Sequence, residues 1–149
     1  MKLEQYELAF DRTKTNFDFI SEGPKGRILK TVRFTKIKVK SHNNLYNLAF
    51  GDKNLDSGAI DDLVITDNQD RDKVLATVAK TVAIFIKHRP KALIFFRGST
   101  PSRTRLYQMA INKYLDELSE IFFIEGFTSK EWVFFEKNKN YLAFLISHK

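Results

Sequence analysis

The sequence predicts an α+β fold, a mixed and largely antiparallel sheet with two main helices packed on one face. Apolar and polar residues alternate at period 2 through the first half of the chain, which marks strands with one buried face. Two later stretches, residues 70–90 and 100–118, change to helical period. Each is followed by a short run that is apolar on both faces, Ala92 to Phe96 and Ile121 to Ile124. A chain of 149 residues is one ordinary domain, read as residues 1–149.

Tyr6, Leu8 and Phe10 alternate with polar neighbours, as do Phe17 and Phe19. Ser21-Glu22-Gly23-Pro24-Lys25-Gly26 is a turn, because Gly supplies positive φ and Pro fixes φ. The next strand runs from Arg27 to Lys40, and its apolar phase slips. Ile28, Val32 and Phe34 fall on even numbers, Ile37 and Val39 on odd ones, so a bulge or bend is expected near Thr35 and Lys36. Ser41 to Asn44 turns the chain into Tyr46, Leu48 and Phe50, a strand that ends at Gly51-Asp52. Asp56-Ser57-Gly58 turns again into a short strand from Ile60 to Thr66.

The first helix carries Val74, Leu75, Val78, Val82, Phe85 and Ile86 on one face, with Asp70 as N-cap and Pro90 as stop. Ala92 to Phe96 is read as a central strand covered on both sides. Thr100 as N-cap and Pro101 at the first position start the second helix, with Tyr107, Ala110, Ile111, Tyr114 and Leu118 inward. Trp132 to Phe135 and Tyr141 to Ile146 are expected to close the fold as a hairpin around Lys137 to Asn140. This element order is loosely similar to that of a ribonuclease H type sheet, a likeness that carries no function.

Composition excludes several chemistries. There is no Cys, which removes disulfides, thiolate metal sites and thiol nucleophiles. His42, His88 and His148 are scattered, against a histidine metal centre or a His-based triad. Neither cofactor nor resident metal is expected. The start of the chain has no apolar signal core, and the longest apolar runs are far short of the ~20 residues that span a bilayer. A cytoplasmic protein that does not engage membranes is expected.

Net charge is +7 and unevenly spread. Residues 23–40 carry seven basic residues and no acid, and residues 73–115 carry nine and none. Residues 41–72 carry seven Asp against Lys53 and Arg71. Such segregation favours an anionic partner: nucleic acid, another polyanion or an acidic protein.

Arg97-Gly98-Ser99-Thr100-Pro101-Ser102-Arg103-Thr104-Arg105 joins a buried strand to a helix start. A helix N-terminus offers unbonded N–H groups and a partial positive charge. Gly98 lets backbone approach a ligand, Ser99, Thr100 and Ser102 supply hydroxyls, and Arg97, Arg103 and Arg105 supply planar donors. These are the requirements for holding phosphate or sulfate. There is no Gly-Lys-Ser/Thr, so this is not a Walker loop. Arg103 shares the helical phase of Tyr107, Ala110 and Tyr114. It therefore needs either an anion or an internal carboxylate, for which Asp67, Asp70 and Asp72 are placed.

Lys36, Lys38 and Lys40 are the candidate nucleic-acid contacts, within a strand whose Lys25, Arg27, Lys30 and Arg33 either track a phosphate backbone or protect an edge. Asp52, Asp61 and Asp62 are the residues a metal-dependent nuclease would use. Ser99 has no His placed to activate it, and no catalytic residue is assigned. The reading is a non-enzymatic binding module for a phosphate-bearing ligand, nucleic acid or nucleotide. The alternatives are the nuclease, or a protein-interaction domain without a small-molecule site.

Ser21 to Gly26, Tyr46-Asn47-Leu48-Ala49-Phe50-Gly51-Asp52, Asp61-Asp62, Val74 to Val78 and, most specifically, Gly98 to Tyr107 resemble a family of small proteins of unknown function, mainly from Bacteroidetes. The resemblance spans about Tyr6 to Ile146 and implies a stand-alone single-domain bacterial protein. It implies no activity, substrate or residue role.

Overall fold

Alternation in the first half becomes antiparallel pairing where it aligns phenyl rings on one face. The computed structural model describes residues 4–61 and 67–149. They form two helices and a mixed, mostly antiparallel sheet, the fold class expected. The chain divides into two compact units, an N-terminal one up to residue 35 plus 48–88, and a C-terminal one of residues 36–47 and 89–149.

In the N-terminal unit, β1 (Ala9–Phe10), β2 (Asn16–Gly23) and β3 (Gly26–Lys36) run antiparallel. Pro24 and Lys25 make the two-residue connection between the paired Gly23 and Gly26, and Gly26 has φ +88. The second half of β4 (Leu45–Lys53) and β5 (Ile60–Asp61) form another antiparallel pair. The rest of the expected strand to Thr66 lies outside the described residues. Phe17, Phe19, Phe34 and Phe50 are buried, and Phe34 stacks on Phe85 of α1 (Arg71–His88) at 4.1 Å. Each fully buried Phe contributes about 1.5–3 kcal/mol. Asp70 stands at the expected start of α1, but its carboxylate accepts from Tyr6 Oη (2.6 Å) and Ser21 Oγ (2.5 Å).

In the C-terminal unit the start of β4 pairs in parallel with β6 (Leu93–Phe96). α2 (Pro101–Ile121) leads to β7 (Phe122–Phe127), then β8 (Trp132–Phe134) and β9 (Ala143–His148). β9 lies between β6 and β7 and is antiparallel to both, while β8 pairs with β7. The expected hairpin of the last two strands is therefore corrected: both use β7, on opposite sides of it. β6 holds the central place expected, but only one of its faces is fully buried. Ile94 and Phe96 are buried, while Leu93 and Phe95 are half-exposed. β7 repeats the pattern, with Phe122 and Ile124 buried and Phe123 exposed.

The phase slip after Phe34 proves to be a strand end. β3 stops at Lys36, and Ile37 N donates to Leu45 O. The inward face of α2 also differs from the expected one. Its buried residues are Thr104, Gln108 and Ile111, and Tyr107, Ala110 and Tyr114 are only half-buried. The reason is hydrogen bonding. Two polar residues sit inward because each bonds backbone groups, Thr104 those of Gly98 and Thr100 and Gln108 those of Lys139 and Tyr141, which hydrophobic periodicity does not register.

Candidate anion-binding cleft

The start of α2 is built by hydrogen bonds between side chains and backbone. Thr100 is the N-cap, with its side chain accepting from Arg103 N, and Pro101 occupies the first position, where no N–H is needed. Gly98 N donates to Thr104 Oγ1 at 3.0 Å, which ties the end of β6 to the first turn. Thr104 Oγ1 in turn donates to Thr100 O at 3.2 Å. The reason for a glycine at 98 differs from the one expected. A Cβ there would stand 2.3 Å from Thr104 N and 2.6 Å from the carbonyl carbon of Arg103. The helix itself occupies the space that ligand approach was expected to need.

Opposite the helix start lies the segment 139–142, held by Gln108. Gln108 Oε1 accepts from Tyr141 N at 2.9 Å, and its Nε2 donates to Lys139 O. Tyr141 Oη accepts from Glu136 N at 3.0 Å, and its ring packs where Gly126 leaves space. Lys139 presents its ammonium to Glu136, and that hydrogen bond raises its pKa.

Between these walls is an open cleft of about 520 Å³. Arg97 and Arg105 line it, with Ser99, Thr100, Asn140 and Tyr141 among the other lining residues. Among the described residues that line it there is no carboxylate, imidazole or thiol. The arrangement can hold an anion by charge and by hydroxyl and amide donors. It offers no general base or nucleophile pair. A second cleft, of about 630 Å³ in the N-terminal unit, is lined by Glu7, Asp18 and Glu22 as well as Arg27 and Lys73, a mixed lining that selects no sign of charge.

The structure brings five of the seven expected anion-site residues to the cleft: Arg97, Gly98, Ser99, Thr100 and Arg105. Ser102 is exposed on the first turn and is not part of the lining. Arg103 is half-buried beside the cleft, where its Nη1 donates to Ser99 Oγ at 2.9 Å. Of the carboxylates expected to face it, Asp70 accepts from Tyr6 and Ser21, and Asp67 accepts from Gln69 N. Gln108 lies outside the stretch expected to form the site, and Thr104, inside that stretch, has no role assigned from the sequence. Their signal in the sequence is a polar i, i+4 pair inside an otherwise apolar helical stripe.

Lys36, Lys38 and Lys40 are exposed and belong to the unit that contains the cleft. Lys30 is not a surface lysine. It is 1% exposed, and its Nζ meets Asp52 Oδ1 at 2.7 Å. Arg33 is half-buried and donates to Asn16 Oδ1 and Gly58 O. Asp61 pairs with Asp52 across β4 and β5, while Asp62 lies outside the described residues. Among the described residues no group of three or more His, Asp or Glu is placed to hold a metal ion, and no helix is long and apolar enough to cross a membrane.

No curated protein and no solved structure matches the chain. A family model does, over residues 2–149, and the chain belongs to that family, DUF6934, a family of unknown function.

Proposed function

We propose that this chain is a non-enzymatic binding module for a phosphate-bearing ligand, a nucleotide or a nucleic acid, held in the cleft at the start of α2. The observation that carries the proposal is the partition of charge. Residues 36–47 and 89–149 contain thirteen Lys and Arg against six Asp and Glu, a net +7. The rest of the chain contains twelve of each, a net of zero. All of the excess charge therefore belongs to the segments that build the cleft, and the cleft is lined by two of those arginines without a carboxylate. A bound phosphate there gains charge-assisted hydrogen bonds and the field of the helix N-terminus.

The nuclease reading loses support from Lys30, which occupies the Asp52 carboxylate. A basic surface meeting an acidic protein is the remaining alternative. We take the setting to be the bacterial cytoplasm, in keeping with a chain that uses no cysteine.

Isothermal titration calorimetry with a nucleoside monophosphate tests the proposal. Replacing Arg97 and Arg105 together with Ala should weaken binding by roughly 100-fold or more, from two lost hydrogen bonds to a charged group. Equal affinity in the wild type and the double variant would move the ligand elsewhere. Absence of nucleotide binding, with capture of an acidic protein abolished by the same substitutions, would favour the alternative.

A further inference from the structure

The sheet of the C-terminal unit has a second face, and it is aromatic. Cross-strand partners place side chains on the same face. Phe95 pairs with Leu145, Leu145 with Glu125, Glu125 with Phe134, and Phe127 with Trp132. Phe123, two residues before Glu125, shares that face. Three of these rings are open to solvent: Phe123 at 44%, Trp132 at 38% and Phe134 at 70% exposure. Phe95 and Phe127 are half-buried, because Trp132 leans on both, with ring centroids 6.1 Å and 5.2 Å away. The opposite face, with Ile94, Phe96, Phe144 and Ile146, is the buried one.

Five rings on one open sheet face are expensive in water. The unit that carries them also holds the whole net charge of the chain. Lys149 stands 5.6 Å from the Phe123 ring while donating to Ser119 O. Arg97 follows Phe95 by two residues, so the chain passes from the aromatic face to the cleft arginine within about 7 Å. Flat apolar rings in a positive field suit an anionic ligand with exposed π-faces, the chemistry of unpaired bases on a phosphate chain. Glu125 lies among the rings and supplies an acceptor for a base amino group. A duplex keeps its bases stacked internally and offers these rings little.

We propose that this face, Phe95, Phe123, Phe127, Trp132 and Phe134, is a stacking platform for single-stranded nucleic acid. The proposal rests on the phosphate-ligand reading for its ligand chemistry and deepens it by naming the ligand class and a second surface.

Trp132 is the only tryptophan, so its emission reports on this face alone. Titration with an unlabelled single-stranded DNA 12-mer should quench it saturably, and less so as salt rises. The matched duplex should leave it largely unchanged. Phe123→Ala and Phe134→Ala should each weaken single-strand binding by roughly 5-fold to 150-fold. Both rings are exposed, so unchanged circular dichroism should accompany the loss. Nucleoside monophosphate binding to the cleft should survive both substitutions, which separates failure of the platform from failure of the cleft. Unchanged Trp132 emission with single strands, or equal affinity for duplex and single strand, would overturn the proposal. So would sedimentation as a dimer that shields Trp132 without DNA, which would assign the face to a second copy.

Discussion

Gln108→Ala should loosen the cleft by removing the tie between α2 and the segment 139–142. Gln108 is 7% exposed, and its amide satisfies Tyr141 N–H on one side and Lys139 C=O on the other. Alanine leaves both backbone groups without that partner. A buried group left unsatisfied costs about 1–3 kcal/mol. Lys139 is exposed, so water recovers part of its share, and the total should be about 2–4 kcal/mol. For a chain of this length that corresponds to a melting temperature lower by roughly 4–16 °C. Thermal and urea denaturation followed by circular dichroism measure the loss. A ¹⁵N–¹H correlation spectrum should place the largest shifts at residues 139–142. Nucleotide affinity should fall although Arg97 and Arg105 remain. A variant within 0.5 kcal/mol of the wild type, with the resonances of 139–142 unmoved, would refute the role assigned to Gln108.

Gly98→Ala should cost about 1–3 kcal/mol in urea denaturation, because the new Cβ meets backbone atoms of Arg103 and Thr104 that no rotamer change can move; a neutral result would mean the helix start is not docked on β6 as described. Lys30→Ala should cost about 3 kcal/mol, the lower end for a broken buried ion pair, since Asp52 retains 16% side-chain exposure; a loss under 1 kcal/mol would return Lys30 to the surface. Asp11 is raised by burial but lowered more by the Asn16 side chain and the Thr15 and Asn16 amides, so it stays ionised well below the usual carboxylate range. Because the folded pKa is depressed, its stabilisation is complete above the ordinary value of 3.8 and fades as pH falls below it. The stability gap between wild type and Asp11→Ala should accordingly be constant above pH 5 and narrow toward pH 2.5 in urea titrations; a gap independent of pH would contradict this.

The start of α2 was legible because its signals are local. Thr100, Pro101 and the glycine before them mark a helix beginning whatever surrounds it, and Arg97 and Arg105 flank that beginning by position alone. The N-terminal strands were legible for a similar reason, since alternation fixes a face before any partner is known. What alternation could not reveal is whether an apolar residue has a neighbour to cover it. Phe95 and Phe123 sit in runs apolar on both faces, the pattern of a strand buried on both sides, and one of those faces proved open. Lys30 fails in the opposite direction. It lies in a basic run that reads as surface, yet its burial depends on Asp52, 22 residues away. The β8 and β9 pairing shows the same limit. Tyr141 to Ile146 follows a turn-rich segment that suits a hairpin, while β7, earlier in the chain, takes both strands as partners. The phase of Tyr107 and Tyr114 points Arg103 inward, but Thr104 and Gln108 set the true phase through hydrogen bonds.

The most direct test of the cleft is a ¹⁵N–¹H titration of the whole protein with a nucleoside monophosphate at low salt. Saturable shifts, diminished by added chloride, should be concentrated at the amides of Gly98 to Thr100, Ser102 to Arg105 and Asn140 to Leu142. Shifts spread over the lysines of both units, or absent from Gly98 to Arg105, would contradict binding in the cleft.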